Sequence, residues 1–232
     1  MTDYYQEQNK EVVVRRNRLG AYWGWLFVTI VVNVSTVVWA QESSGQSDDQ
    51  MVLEDFQQPD AKGFPQGWEG QRSTVTAHET YMIQKEADIF FLSAKNANQR
   101  VYTKHIQWNP KKFPILTWRW RIKNVPDNAG LIAALYPSLD VDLMFIPVNT
   151  KYVWSATLPE GSIKEGGMFS STEIVIRSGT QPIGEWVEER VNVYADFLKI
   201  HDHEPAAQAW GISLLGGPGV EVDFGSLQVQ AE

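Results

Sequence analysis

The stretch "LTWRWRIKNVP", residues 116–126, places two arginines between hydrophobic neighbours. A period of two is typical of a β-strand, so Trp118 and Trp120 share one face, and Arg119 and Arg121 share the other. Two guanidinium groups on a concave sheet can fork to the hydroxyls or carboxylates of a ligand. The alternatives are a solvated outer face or ion pairs with acids on neighbouring strands. The two tryptophans are predicted to fill the core.

Two further tryptophans lie in segments that do not resemble strands. Trp68 lies in a loop rich in glycine and proline, and Trp186 follows the residues PIGE. Exposed aromatic rings can hold sugars, because the C–H face of a sugar stacks on the ring while polar groups fix its orientation. The sequence therefore predicts ligand binding by Trp68 or Trp186 beside Arg119 and Arg121. The alternative is that each ring plugs one end of the fold.

Asp140 and Asp142, in the segment "LDVDL", form the carboxylate pair best suited to chemistry. At strand spacing they share a face, where two carboxylates can hold a cation or act as acid and base. The alternative is a polar entry into a strand. Two carboxylates alone supply too few oxygen ligands for Ca²⁺.

Other chemistry finds no support in the sequence. The chain has no cysteine and no G-x-S-x-G motif, so no catalytic nucleophile is predicted. The segment "HDHE", residues 201–204, is predicted to be an exposed connector, because it follows a predicted helix and precedes PAA; the alternative is a metal patch. No set of residues reaches the ligand count of a zinc site. No metal and no cofactor is expected.

Short apolar runs separated by Gly, Pro and Asn dominate residues 51–232 and predict one all-β domain, an antiparallel β-sandwich or jelly roll. The segment MVLEDF opens the domain, and the runs are DIFFLSA, RVYTKHIQW, ILTWRWRI, LIAALYPS, VDLMFIP, KYVWSAT, TEIVIRSG, QAWGISLL and SLQVQ. One short helix is predicted at Val191–Ile200, where Asp196 caps or anchors it. Glu188 and Glu189, beside Arg190, predict a solvated stretch with local ion pairs.

The first fifty residues predict the cellular localisation of the protein. Residues 1–18 form a basic N-region, residues 19–40 an uncharged apolar run, and residues 41–50 a polar, acidic linker. Positive charge before an apolar run is the pattern of export, which would place residues 51–232 on the periplasmic side of a bacterial inner membrane. The net charge of −8 argues against nucleic acid as a partner.

The apolar run has two interpretations. In the first it is a membrane-spanning anchor over residues 19–39, with Trp23, Trp25 and Trp39 near its ends, where interfacial aromatic residues belong. In the second it is a signal peptide that is cleaved after Ala40, which would leave a soluble periplasmic domain. Both interpretations export the domain.

Four segments together resemble one bacterial family. They are WRWRI at 118–122, YVWS at 152–155, IVIRSG at 174–179 and EWVEERVNVYADF at 185–197. Their order and spacing are similar to the domain-of-unknown-function 3047 family over about residues 51–230. The resemblance implies an exported β-sandwich of the carbohydrate-binding-module type, and it implies no known activity.

The chain departs from the pattern of this family in two places. Residues 128–136 lack the acidic pair and the arginine that follow the WRWR strand in the family. Residues 214–225, where the family has a loop rich in Asp and Asn, carry only Glu221 and Asp223 as acids. If the acids of the family bind a cation or a ligand, this chain is expected to have lost that ability.

Three hypotheses of function follow. The first is an exported, non-enzymatic binding module whose ligand is a glycan. The second is an accessory or structural subunit of an envelope membrane-protein complex, anchored by an uncleaved N-terminal helix. The third is a glycan-active hydrolase, which needs two carboxylates that face each other across a groove.

Overall fold

The structure, a computed structural model, describes residues 49–141, 146–166 and 171–232. The predicted N-region and apolar run, with its three tryptophans, lie outside the described residues, and so does Asp142. The described residues belong to one unit, Ser44–Glu232. Within them, no helix has the length and apolarity that crossing a membrane requires.

The described chain forms thirteen strands and two helices. In chain order they are β1 (Gln50–Glu54), β2 (Glu69–Gly70), α1 (Thr74–Ala77), β3 (Tyr81–Glu86), β4 (Ile89–Lys95), β5 (Val101–Lys104), β6 (Ile115–Asn124), β7 (Leu131–Val141), β8 (Pro147–Ser155), β9 (Ile163–Lys164), β10 (Thr172–Ser178), β11 (Val187–Asn192), α2 (Val193–His201), β12 (Gly211–Gly216) and β13 (Glu221–Gln230). The prediction of an all-β domain with one short helix is confirmed for the main elements, while α1 is a single additional turn.

The first sheet has six strands, five of them in the order β11–β6–β13–β4–β3. Strand β13 lies at its centre, because β6 pairs with one edge while β4 and β1 share the other edge. These strand pairs are all antiparallel.

The second sheet has seven strands in the order β2–β5–β12–β7–β8–β10–β9. Strands β8 and β10 run parallel, and the other strand pairs of this sheet are antiparallel. A parallel pair needs a crossover longer than a hairpin, and residues 156–171 supply it. The prediction of an antiparallel sandwich is therefore correct except at this pair.

The core between the sheets is built around tryptophan. Trp118 and Trp120 are 1% and 0% exposed, which confirms the prediction that they are core residues. Their rings meet edge to face at 5.4 Å, and they contact Tyr152 and Trp154 of the second sheet at 6.1 and 5.5 Å. Burial of a large apolar side chain is worth about 1.5–3 kcal/mol, so these rings tie the two sheets together.

Helix α2 lies close to its predicted position, Val191–Ile200. Its N-terminus is capped by the Asn192 side chain, which accepts a hydrogen bond from the Ala195 amide at 2.9 Å. Asp196 accepts a hydrogen bond at 2.8 Å from the buried hydroxyl of Tyr152 on β8. The predicted anchoring role of Asp196 is confirmed, because this bond holds the helix to the second sheet.

The segment Glu188–Arg190, predicted to be a solvated stretch, is part of edge strand β11. Glu188 is exposed, but Glu189 faces the core and is 8% exposed. Its carboxylate accepts hydrogen bonds from Trp120 Nε1 at 2.9 Å and from Arg177 Nη2 at 3.2 Å. The prediction is wrong for Glu189, because adjacent residues of a strand face opposite sides of its sheet.

Candidate functional site

The outer face of the first sheet carries the two arginines of β6. Arg119 and Arg121 alternate with the core tryptophans, as the period of two predicts. Strand pairing places Asp223 of β13 opposite Arg121 and Glu188 of β11 opposite Arg119. Each arginine therefore has an acidic residue next to it, but the contacts of the two arginines differ.

Arg121 is fixed by two carboxylates. Its Nε and Nη2 donate to the same Asp223 oxygen at 3.0 and 2.8 Å, and its Nη1 donates to Glu86 at 2.7 Å. The Arg121 and Asp223 side chains are 6% and 3% exposed, whereas Glu86 is 63% exposed. The prediction that the arginines pair with acids on neighbouring strands is confirmed for Arg121.

The titration behaviour of these groups reflects the same contacts. Burial raises the pKa of Asp223, against the opposing effect of its hydrogen bond from Arg121. Burial alone lowers the pKa of Arg121, but the hydrogen bonds to Glu86 and Asp223 outweigh it and raise that pKa. The hydrogen bond from Arg121 lowers the pKa of Glu86. Arg121 therefore stays charged, and two carboxylates of the protein itself neutralise that charge.

Trp186 lies on this outer face, against both arginines. Its ring is 4.5 Å from the Arg121 guanidinium and 5.5 Å from that of Arg119, both within cation–π range. Phe91 of β4 meets it edge-on at 5.6 Å and 74°. The ring is partly exposed. The prediction that Trp186 lies beside Arg119 and Arg121 is confirmed, and Phe91 and Arg121 give the ring a fixed support.

The loop before β11 brings Trp186 to this position. The Gly184 amide donates to the Ile122 carbonyl at 2.8 Å, and Ile183 forms an isolated bridge with Ile122. Gly184 has a φ of 82°, a conformation that glycine adopts without steric cost. The chain is thereby held at β6 two residues before Trp186.

A groove of about 560 Å³ crosses the same face, and it reaches the two residues that contact Trp186. Strands β3, β4, β13 and β6 contribute its floor, and Phe91 and Arg121, the two supports of Trp186, line it. Polar side chains fill most of the remaining lining, including Gln84, Ser93, Lys95, Lys123 and Glu221. An aromatic surface next to dispersed donors and acceptors is a typical small-ligand site.

Arg119 has a different environment from Arg121. Its side chain makes no ion pair or hydrogen bond with any residue in the described ranges, and the cation–π contact with Trp186 is its sole cation–π contact there. It lines a small pocket of about 150 Å³ together with Thr117, Glu188 and residues of β13. Its guanidinium donors are therefore available to a ligand.

Trp68 does not join this site. It is 4% exposed, packs against Phe56 at 6.0 Å, and donates from Nε1 to Glu54 at 2.7 Å. Burial raises the pKa of Glu54. The predicted exposure of Trp68 is wrong, because the Gly/Pro-rich loop folds inward and the indole N–H donates to the partly buried carboxylate of Glu54.

Asp140 lies in β7, on the sheet opposite the groove. Its carboxylate accepts from the Val141 amide at 2.7 Å and lies 3.8 Å from His203 Nδ1. Because Asp142 falls outside the described residues, the predicted pairing of the two carboxylates stays a prediction. Within residues 49–141, 146–166 and 171–232, no three His, Cys, Asp or Glu side chains are placed to hold a metal.

Two contributors to the site were not predicted from the sequence. Glu86 ends β3, a strand with no clear apolar run, and Phe91 belongs to a predicted strand whose face was not assigned. A signal for Phe91 existed: in DIFFLSA, positions 91 and 93 share a face under a period of two, and Ser93 is polar. Glu86 had no comparable local signal.

Solved structures with a similar chain path include an adhesin domain and several carbohydrate-binding modules. The K1 cleaved adhesin domain of Lys-gingipain from Porphyromonas gingivalis aligns with a TM-score of 0.41 and 10% identity, over 79% of this chain and 98% of that one. The family 11 carbohydrate-binding module of a cellulosomal cellulase of Clostridium thermocellum aligns with a TM-score of 0.43 and 7% identity, over 80% and 96%. The CBM22-1 xylan-binding domain from Paenibacillus barcinonensis aligns with a TM-score of 0.39 and 8% identity, over 80% and 97%.

Sequence comparison gives a narrower result. No curated protein matches the chain. The model of one family, described as a protein of unknown function (DUF3047), matches residues 146–215. This range contains YVWS at 152–155, IVIRSG at 174–179 and EWVEERVNVYADF at 185–197. The match confirms the predicted resemblance: over residues 146–215 the chain carries the sequence pattern of the domain-of-unknown-function 3047 family.

Proposed function

We propose that this protein is a non-catalytic binding module that holds a glycan on the outer face of the first sheet. The observation that carries the proposal is the ring of Trp186, which is partly exposed, supported from below by Arg121 and Phe91, and next to a polar groove of about 560 Å³. A ring held in place before the ligand arrives loses little entropy on binding.

The chemistry of the groove matches that of a sugar chain. A sugar presents an apolar C–H face and a ring of hydroxyls, so its site needs an aromatic surface with hydrogen-bond donors and acceptors at the margins. Trp186 provides the surface. Gln84, Ser93, Lys95 and Lys123 provide polar groups on neighbouring strands.

The carboxylates of the groove support binding without catalysis. Glycoside hydrolysis needs one acid and one base or nucleophile, each free to act on the scissile bond. Asp223 and Glu86 are both hydrogen-bonded to Arg121, and Glu221 lies 3.7 Å from Lys95. Asp140 belongs to the other sheet. Three of the four carboxylates that line the groove are therefore engaged with a cation, and the fourth is the exposed Glu79.

The test is an array of neutral and acidic oligosaccharides probed with the labelled full-length protein, followed by titration calorimetry on the best ligand. Trp186→Ala is expected to weaken binding about tenfold or more, because central aromatic contacts dominate interface energies. Trp210→Ala is the matched control: this partly buried ring stacks on Tyr102 at the second sheet, with centroids 6.0 Å apart. Equal losses in the two variants, or no glycan bound by the wild-type protein, would refute the proposal.

We also propose, from the sequence, that the chain is exported to the periplasmic side of a bacterial inner membrane. The mass of the N-terminus of protein taken from native membranes decides between the two forms. A chain that begins at Gln41 in the soluble fraction indicates a cleaved signal and a free binding module. An intact Met1 that co-purifies with a membrane assembly favours the alternative of an anchored accessory subunit, and a cytoplasmic full-length chain would contradict export.

A further inference from the structure

Arg119 is a partly buried cation whose charge no ion pair neutralises within the described part of the chain. Arg119 lines a polar pocket of about 150 Å³, and its guanidinium also makes the cation–π contact with Trp186. The pocket has room for roughly five water molecules at about 30 Å³ each. This space suits one substituent of a larger ligand and its hydration.

The pocket offers further donors to a guest. Ser226 Oγ accepts a hydrogen bond from Gln228 Nε2 at 3.4 Å, so its own hydrogen can turn towards the pocket. The Thr117 hydroxyl donates to the Gln228 carbonyl at 3.4 Å and keeps lone pairs for a bound water. A guanidinium and a hydroxyl donor that face one small space are complementary to an oxyanion.

We propose that this pocket binds the carboxylate of a uronic acid residue, so that the glycan held beside Trp186 is an acidic one and Arg119 determines that specificity. The inference rests on the proposed function, because Trp186 must hold the neighbouring sugar. A planar carboxylate can take two parallel hydrogen bonds from a guanidinium, whereas a single hydroxyl cannot. Arg121 cannot serve this role, since Asp223 and Glu86 already occupy its donors.

Glu188 gives the proposal a sharp internal test. It lies opposite Arg119 on β11 and lines the same pocket, yet no ion pair joins these two side chains. A carboxylate guest would approach this exposed acid and be repelled by it. Glu188→Gln should therefore strengthen the binding of an acidic glycan more than that of a neutral one.

The experiment uses titration calorimetry on the full-length protein with a tetragalacturonate and with the same tetrasaccharide after its carboxyls are reduced to alcohols. The wild-type protein is expected to bind the acidic form about tenfold tighter or more, which is the scale of a charge-assisted hydrogen bond. Arg119→Gln should remove that preference, because it weakens the binding of the acidic form at least tenfold more than that of the reduced form. Glu188→Gln should raise the affinity for the acidic form.

The control for net charge is Arg190→Gln, which removes an exposed arginine of β11 that does not line the pocket. It should leave both affinities within about twofold, because exposed charges are screened by salt. Equal binding of the acidic and reduced forms, or equal effects of the two arginine variants, overturns the inference while the proposed function stands. Tighter binding of a sulfated oligosaccharide than of the uronate overturns the assignment to a carboxylate. If neither tetrasaccharide nor any member of the array binds, the proposed function fails and the inference fails with it.

Discussion

Arg121 and Arg119 lie two residues apart on one strand, point to the same side of the sheet, and touch the same ring of Trp186. Arg121 is nearly buried and donates to Asp223 and Glu86, whereas Arg119 has an acid opposite it but no ion pair among the described residues. The difference teaches that a strand can use one residue type for two purposes. Arg121 builds the platform under Trp186, and Arg119 remains available to whatever binds beside it.

Removal of Arg121 should give the largest change in stability. Arg121→Leu leaves the Asp223 carboxylate buried without its partner, which is expected to lower the free energy of unfolding by about 3–5 kcal/mol. Urea unfolding followed by tryptophan fluorescence measures the loss. The double variant Arg121→Leu/Asp223→Leu should recover most of it, because no unpaired charge remains. A single variant as stable as the wild type would show that Arg121 does not support the sheet.

The two acids beside Arg121 should differ in importance, because their exposure differs so strongly. Asp223→Asn removes a buried charge-assisted hydrogen bond and is expected to cost about 1–3 kcal/mol of unfolding free energy. Glu86→Gln is expected to cost less, since water replaces much of the lost interaction at an exposed carboxylate. The same urea experiment ranks the two. A larger loss in Glu86→Gln than in Asp223→Asn would mean that the exposed ion pair of Arg121 contributes more to stability than the buried one.

Removal of Arg119 should change stability little. Arg119→Leu is expected to shift the free energy of unfolding by less than about 1 kcal/mol, because no ion pair with a described residue is lost. Comparison of its urea midpoint with that of Arg121→Leu tests the division of roles directly. A large loss in this variant would indicate that Arg119 is structural after all.

The smallest expected effect is in the titration of Glu86. The hydrogen bond from Arg121 lowers the pKa of Glu86 in the folded protein, so ionised Glu86 adds stability that is complete above its unfolded pKa of about 4.3. That stability is lost as the pH falls through the lower folded pKa. Carboxyl NMR should find the Glu86 pKa raised in Arg121→Leu and unchanged in Arg119→Leu. Equal shifts of the Glu86 pKa in the two variants would contradict the ion pair between Glu86 and Arg121.

The parts of this site that depend on local periodicity could be predicted from sequence. Alternation along residues 116–122 was enough to separate the core tryptophans from the outward arginines. The non-strand sequence around Trp186 selected it correctly as a surface ring, but the same criterion also selected the buried Trp68. Both predictions depend on a few neighbouring residues, and within a strand the period of two decides which face a side chain lies on.

The parts that depend on strand register could not be predicted. Arg121 and Asp223 are separated by 102 positions in sequence, and their contact exists because β6 and β13 pair with Asp223 opposite Arg121. Glu189 was misplaced for the same reason, since its burial depends on the pairing of β11 with β6. The exposure of Trp68 was predicted wrongly because its hydrogen-bond partner, the partly buried Glu54, lies in another segment. Pairing between distant segments is fixed by the whole fold.

The pairing of β1 with β13 has a consequence for engineering. Gln50 is the partner of Gln230, and the Ala231 amide donates to the Asp49 carbonyl at 2.7 Å, so the two ends of the described domain lie side by side. A short linker from residue 231 to residue 49 would close the chain into a ring without breaking a strand pair. New ends could then be opened at an exposed turn such as Ala87–Asp88. A circular permutant of this kind would present the Trp186 face with its chain ends moved from the β1–β13 pair to the turn between β3 and β4.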